Sequence, residues 1–168
     1  MNLTLRADYG DDLARRSWST GVLAGVAGGG AEVAWILLYG RAFGVDPAVV
    51  ADGVTWSLFP GFSGSPLGVP LGIAIHMGLA IVLGMAIAIG LARCWPRLSG
   101  TTFEAIAVVG LLVAIWAMNF FLVLPILNPS FVELVPYGAS LTSKVLFGVA
   151  AAFVLQLRRE SGPSDQRA

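Results

Sequence analysis

Charge is scarce in this chain. Asp, Glu, Lys and Arg make up 12% of its 168 residues and the formal net charge is zero, against about a quarter charged residues in ordinary water-soluble domains. That shortage excludes the clustered basic surface a phosphate backbone requires, so nucleic acid is not an expected partner. Cysteine and histidine are rarer still, with one of each, Cys94 and His76. A single cysteine excludes an intrachain disulfide, and beside Arg93 and Trp95 it reads as a small apolar residue at a helix end. One histidine with no cysteine partner falls short of the three protein ligands of a catalytic zinc site, so no metal is expected. The same scarcity limits haem, because bis-histidine ligation through His76 would need two chains; no other cofactor is implied. Lys144, the only lysine, can form a Schiff base in principle, but nothing in the sequence points to an aldehyde ligand.

Apolar residues are abundant: 57% of the chain is hydrophobic and the mean hydropathy is +0.81. Apolar segments at about 18–39, 67–92, 103–124 and 137–157 are each long enough to cross a bilayer. They predict one all-α integral membrane domain of four transmembrane helices over residues 1–168, with polar tails at 1–16 and 160–168, the latter rich in Ser, Gly, Pro and charge and expected to be disordered. The first apolar run is too long for a signal peptide and no small-x-small cleavage site follows it, so the first helix is expected to stay. Arg15-Arg16-Ser17-Trp18 shares only its arginine pair with a twin-arginine signal.

Arginine placement sets the expected orientation. Arg6, Arg15 and Arg16 precede the first segment, Arg93 and Arg97 join the second to the third, and Arg158, Arg159 and Arg167 follow the fourth, whereas Arg41 stands alone in the remaining loops. Both termini are therefore expected in the cytoplasm. In the first outer loop, Asp46-Pro47 reads as a helix cap and first helical position, predicting a short interfacial helix over 48–59 with Trp56, Leu58, Phe59 and Phe62 at the membrane surface. Thr101-Thr102-Phe103-Glu104 matches a capping box, which gives Glu104 a structural role. The third span is expected to stop at Pro125, and Pro136 can open the last helix. A faint two-fold repeat also shows: each half is a helix, an Asp-Pro or Asn-Pro loop, and a returning helix with one titratable residue in its outer third.

The first segment carries Gly21, Gly25, Gly28, Glu32, Trp35 and Tyr39 on one side, so its single acid lies on the face where another backbone approaches most closely. Counted from Tyr39, Leu67, Leu124 and Tyr137 as outer ends, Glu32, His76, Asn119 and Lys144 fall roughly 8 to 13 Å deep at 1.5 Å per residue. Each span thus places one strongly polar residue in the same outer-half layer, where a charge is costly. The layer predicts an intramembrane Glu32–Lys144 ion pair with His76 and Asn119 beside it. It is also the candidate ligand-binding or proton-handling site, together with Ser140 and Trp35 and a rim of Tyr39, Trp56, Phe59, Phe62 and Tyr137. No catalytic residue is assigned.

Function is expected to be that of a non-enzymatic membrane subunit or accessory protein, assembling through its glycine-rich helix faces as a homo-oligomer or within a larger membrane complex in the lipid bilayer. The alternative is binding of a quinone, lipid or other small amphiphile, or proton- or ion-coupled transport, at Glu32, His76, Asn119 and Lys144. In make-up the chain resembles small multi-pass proteins of bacterial inner membranes, which implies the cytoplasmic membrane as its location. It lacks the paired cysteines of membrane thiol oxidoreductases and the paired histidines of cytochrome b subunits.

Overall fold

A computed structural model describes residues 3–98 and 100–160, with side chains from residue 17 to residue 159 apart from residue 99. The carboxy-terminal tail over 161–168, expected to be disordered, lies outside the described residues, as do the side chains of the amino-terminal stretch. Every regular element among the described residues is helical. Helix α1 runs Leu3–Phe43, α2 Pro47–Leu58, α3 Gly68–Cys94 and α4 Thr102–Met118; a π turn, Asn119–Val123, leads into α5, Leu124–Leu127, then α6, Pro129–Leu134, and α7, Tyr137–Glu160. Four helices are long and apolar enough to cross a membrane: Ser17–Phe43, Gly68–Cys94, Thr102–Leu127 and Tyr137–Arg159. The chain therefore has the architecture of a multi-pass membrane protein.

Local chemistry explains the boundaries. Gly44 ends α1 with φ +74°, the left-handed conformation that glycine adopts without a Cβ penalty, and its N–H donates to the Gly40 carbonyl at 2.9 Å. Asp46 then accepts from Ala48 N–H at 2.8 Å and Pro47 opens α2, as the Asp-Pro pair predicts. Asn128-Pro129 repeats the device, with the Asn128 side chain accepting from Phe131 N–H at 3.2 Å to start α6. Two sequence expectations fail here. Glu104 does not close a capping box with Thr101, whose side chain makes no cap bond; its carboxylate instead accepts from Gly100 N–H at 2.7 Å and from Arg159 at 2.7 Å. Pro125 does not stop the third span, which continues to Leu127. The π turn before it, closed by Leu124 N–H on the Asn119 carbonyl, admits one extra residue per turn and so relaxes the ring-to-carbonyl clash that breaks a regular helix at proline.

Helix α1 packs between α3 and α7, α4 lies on α7, and α2 lies on α3, so the spans follow one another around the bundle as α3, α1, α7 and α4. Glycines make the α1–α3 crossing close. A Cβ at Gly21 would sit 2.6 Å from the Met85 Cα and one at Gly25 2.6 Å from the Ile81 Cα, so only hydrogen fits. The arginine-bearing half holds the main core, in which Ala24, Leu91, Val108, Leu112, Phe147 and Ala151 meet from all the spans. At the other end Val50, Val135 and Ala139 pack with Ile36, Tyr39 and Phe131, drawing α2 and α6 over the ends of α1 and α7.

Candidate functional site

Gly28 and Gly29 build the site. A Cβ at Gly28 would lie 2.7 Å from the Phe147 ring, and one at Gly29 2.7 Å from the Ala80 Cβ. The absent side chains thus seat α7 and α3 against adjacent positions of α1. Both neighbours run antiparallel to α1, so one turn onward in α1 faces one turn back in each of them. From Gly28 and Gly29 that step leads to Glu32, from Phe147 to Ser143 and Lys144, and from Ala80 to His76.

Those residues meet. Glu32, 3% exposed, has Lys144 Nζ at 2.7 Å from Oε1, and the Ser143 hydroxyl donates to the same oxygen at 3.1 Å. His76 Nε2 stands 3.7 Å from Oε2, beyond hydrogen-bond length. Oε2 and Nε2 are both buried, and neither has a hydrogen-bond partner. Lys144 Nζ also lies 5.4 Å from the centre of the Phe147 ring, within reach of its negative face. The lysine and histidine side chains keep 22% and 28% of their surface accessible while the Glu32 side chain keeps 4%. The acid is therefore sealed and its two basic neighbours border the flank of the bundle.

The remaining candidates are dispersed. Trp35 lies one turn further along α1 from Glu32, and its indole N–H donates to the Ala139 carbonyl at 2.9 Å, pinning α1 to α7 beside the cluster. Asn119 opens the π turn and is half-buried; among the described residues it is not a polar partner of Glu32. Ser140 belongs to another contact: its hydroxyl accepts from Trp116 Nε1 at 3.0 Å and donates to the Tyr137 carbonyl at 3.0 Å. Tyr137 stacks on Phe121 with centroids 5.2 Å apart, and Tyr39 stacks on Phe43 at 4.7 Å. Trp56, Phe59 and Phe62 are each about half exposed. Phe59 and Phe62 line a groove of about 500 Å³ with Leu67, Pro70 and Leu71, whereas the second principal cavity lies between α3 and α4. Neither touches Glu32, His76 or Lys144, and the apolar layer around Tyr39 and Val135 stands between the cluster and α2 and α6.

Sequence pattern missed Ser143, Trp116 and the Glu104–Arg159 pair. Ser143 was legible in the line Ala139, Ser143, Phe147, a four-residue step that runs beside the Lys144 face. Arg159 contacts Glu104 at both oxygens, 2.7 Å each, and Glu104 is wholly buried. The signal for that pair was that the start of the third span and the end of the fourth belong at the same membrane face. Comparison of the chain with protein-family models, curated proteins and solved structures returns no match, so function rests on this geometry.

Proposed function

We propose that this chain is a non-enzymatic, multi-pass protein of a bacterial inner membrane that reversibly binds a proton at Glu32, His76 and Lys144, as the proton-handling unit of a homo-oligomer or larger membrane complex. In this reading both termini are cytoplasmic and α2 lies at the outer interface, as the arginine distribution and the half-exposed Trp56, Leu58 and Phe59 suggest. One observation carries it: Glu32 Oε2 and His76 Nε2 face each other, buried and unpartnered, across 3.7 Å.

The width of that gap favours a proton over a molecule. A water bridging the two atoms with bonds of about 2.8 Å would have to bend to roughly 80°, well short of its preferred geometry. A proton on Nε2 supplies the missing donor, and a movement of about 0.9 Å completes a hydrogen bond to Oε2. Lys144 and Ser143 occupy Oε1 alone, so this step leaves the ion pair intact. The glycine faces that suggested assembly are meanwhile occupied within the chain, Gly21 and Gly25 by α3 and Gly28 by Phe147, which moves the weight from those faces to the polar centre.

His76 is the only histidine, so histidine labelled with ¹⁵N in the ring gives an unambiguous pair of signals in the reconstituted full chain. We expect both nitrogens to report a shared protonation step over an acid-to-neutral pH range, and Glu32→Gln to move its midpoint. A ring that holds one protonation state across that range, or a midpoint indifferent to Glu32→Gln, overturns the proposal.

A further inference from the structure

The seam between α3 and α4 is open where the others are closed. Helix α1 fills the space beside α3 and α7, and α4 leans on α7, but Ile87 and Leu91 of α3 and Ala107, Val108 and Leu111 of α4 border a cavity of about 260 Å³. Trp95 and Leu98, from the turn joining the two helices, line it at one end. Its walls are almost wholly apolar, and its volume lies below the roughly 300 to 1,000 Å³ of drug-sized ligand sites. A slot of that size and polarity, on the flank of a membrane-spanning bundle, suits an acyl chain better than a ring system.

Charge supplies the other half of the site. Arg97 lies between the lining residues Trp95 and Leu98, and Arg93 is in the last turn of α3 just before them; both are exposed. Glu104, in the first turn of α4, is the nearby acid, and Arg159 engages both its oxygens. Among the described residues neither Arg93 nor Arg97 is in an ion pair. An apolar slot that ends at Trp95 and Leu98, at an end of the bundle that carries the exposed Arg93 and Arg97, matches a phospholipid with an anionic headgroup: the two arginines draw its phosphate to that end, and one acyl chain lies along Leu91 and Val108. We infer that the α3–α4 groove is a binding site for an anionic phospholipid.

Cys94, exposed and the lone cysteine, is next to the site and accepts a fluorophore without further change to the chain. The full chain carrying bimane at Cys94 is reconstituted into vesicles in which either phosphatidylglycerol or phosphatidylcholine is brominated, and quenching by each is compared at equal mole fraction. Stronger quenching by brominated phosphatidylglycerol is expected. Arg93→Gln with Arg97→Gln should reduce the preference by up to about thirtyfold, each arginine near the surface contributing close to a fivefold factor. Ala107→Trp, which fills the groove and leaves the charge alone, should remove it too, with helicity and melting temperature checking that each variant is folded. Equal quenching by the two lipids overturns the inference. So does a preference that survives Ala107→Trp, which indicates general surface attraction, or protection from both lipids, which indicates that a second copy of the chain covers the seam.

Discussion

A buried carboxylate is costly unless its charge and its lone pairs are both met. Glu104 and Glu32 treat that cost differently. Glu104, wholly buried, has an Arg159 guanidinium nitrogen at 2.7 Å from each oxygen, but only Oε2 accepts hydrogen bonds, from Arg159 and the Gly100 N–H, while Oε1 is met by charge alone. Glu32 has only Oε1 satisfied, by Lys144 and Ser143. Removing Lys144 as Lys144→Met strands a buried charge, and Glu32→Gln strands the ammonium group; each should destabilise the protein by about 3 kcal/mol. The double variant should be less harmed than the sum of the two by at least about 1 kcal/mol. Reversible unfolding in mixed micelles measures all the corners of this cycle, and additive losses would remove the pair as a coupled unit. The chemistry of the pair was legible because the sequence holds one lysine and few intramembrane acids. The open side of Glu32 was not, since helical periodicity places a residue on a face without saying which of its oxygens meets a partner.

Among the elements, glycine determines which helices touch. Gly84 sits against the backbone of Gly25 across the α1–α3 crossing, whereas a side chain at Gly30 would meet open space. Gly25→Leu and Gly84→Leu should each cost about 1 to 3 kcal/mol by forcing the helices apart, while Gly30→Leu should be nearly neutral. Thermal denaturation in detergent separates the sets, and equal losses at Gly25 and Gly30 would contradict the crossing. Because Glu32 and His76 are carried by the same two helices, widening the crossing should also disturb the His76 ring signal. The glycine face of α1 could be found from sequence, but its occupant could not: a strip of small residues suits a neighbour in the same chain or in another equally well. The π turn was hidden for a related reason. Pro125 announces a disturbance in the ladder, but only the surrounding packing decides whether the helix ends or widens to pass it.

For the molecule as a whole, apolar length revealed the spans, and the positions of Asp46-Pro47 and Asn128-Pro129 revealed comparable devices in the two halves. The halves do not close into a symmetric bundle, because α1 meets α7 closely while the corresponding α3–α4 seam stays open. The closed seam is the one that carries Gly28, Phe147 and the Glu32–Lys144 pair, whereas the open one is lined by larger apolar residues such as Ile87, Leu91 and Leu111 with no polar group between them. Orientation depends on charge instead. Lys and Arg near the span ends are retained on the cytoplasmic side, and here Arg93, Arg97, Arg158 and Arg159 collect at one end of the bundle, with Arg41 alone at the other. The loop between α2 and α3 offers a clean reporter at Gly61, where an added Cβ meets no atom; Ser63 is less suitable because its hydroxyl donates to Asp52. In intact cells, a membrane-impermeant maleimide should label Gly61→Cys in a Cys94→Ala background and should leave native Cys94 unlabelled until the membrane is opened. The reverse pattern would invert the protein in the bilayer, placing Arg93 and Arg97 at the outer leaflet and the Glu32 cluster nearer the cytoplasm.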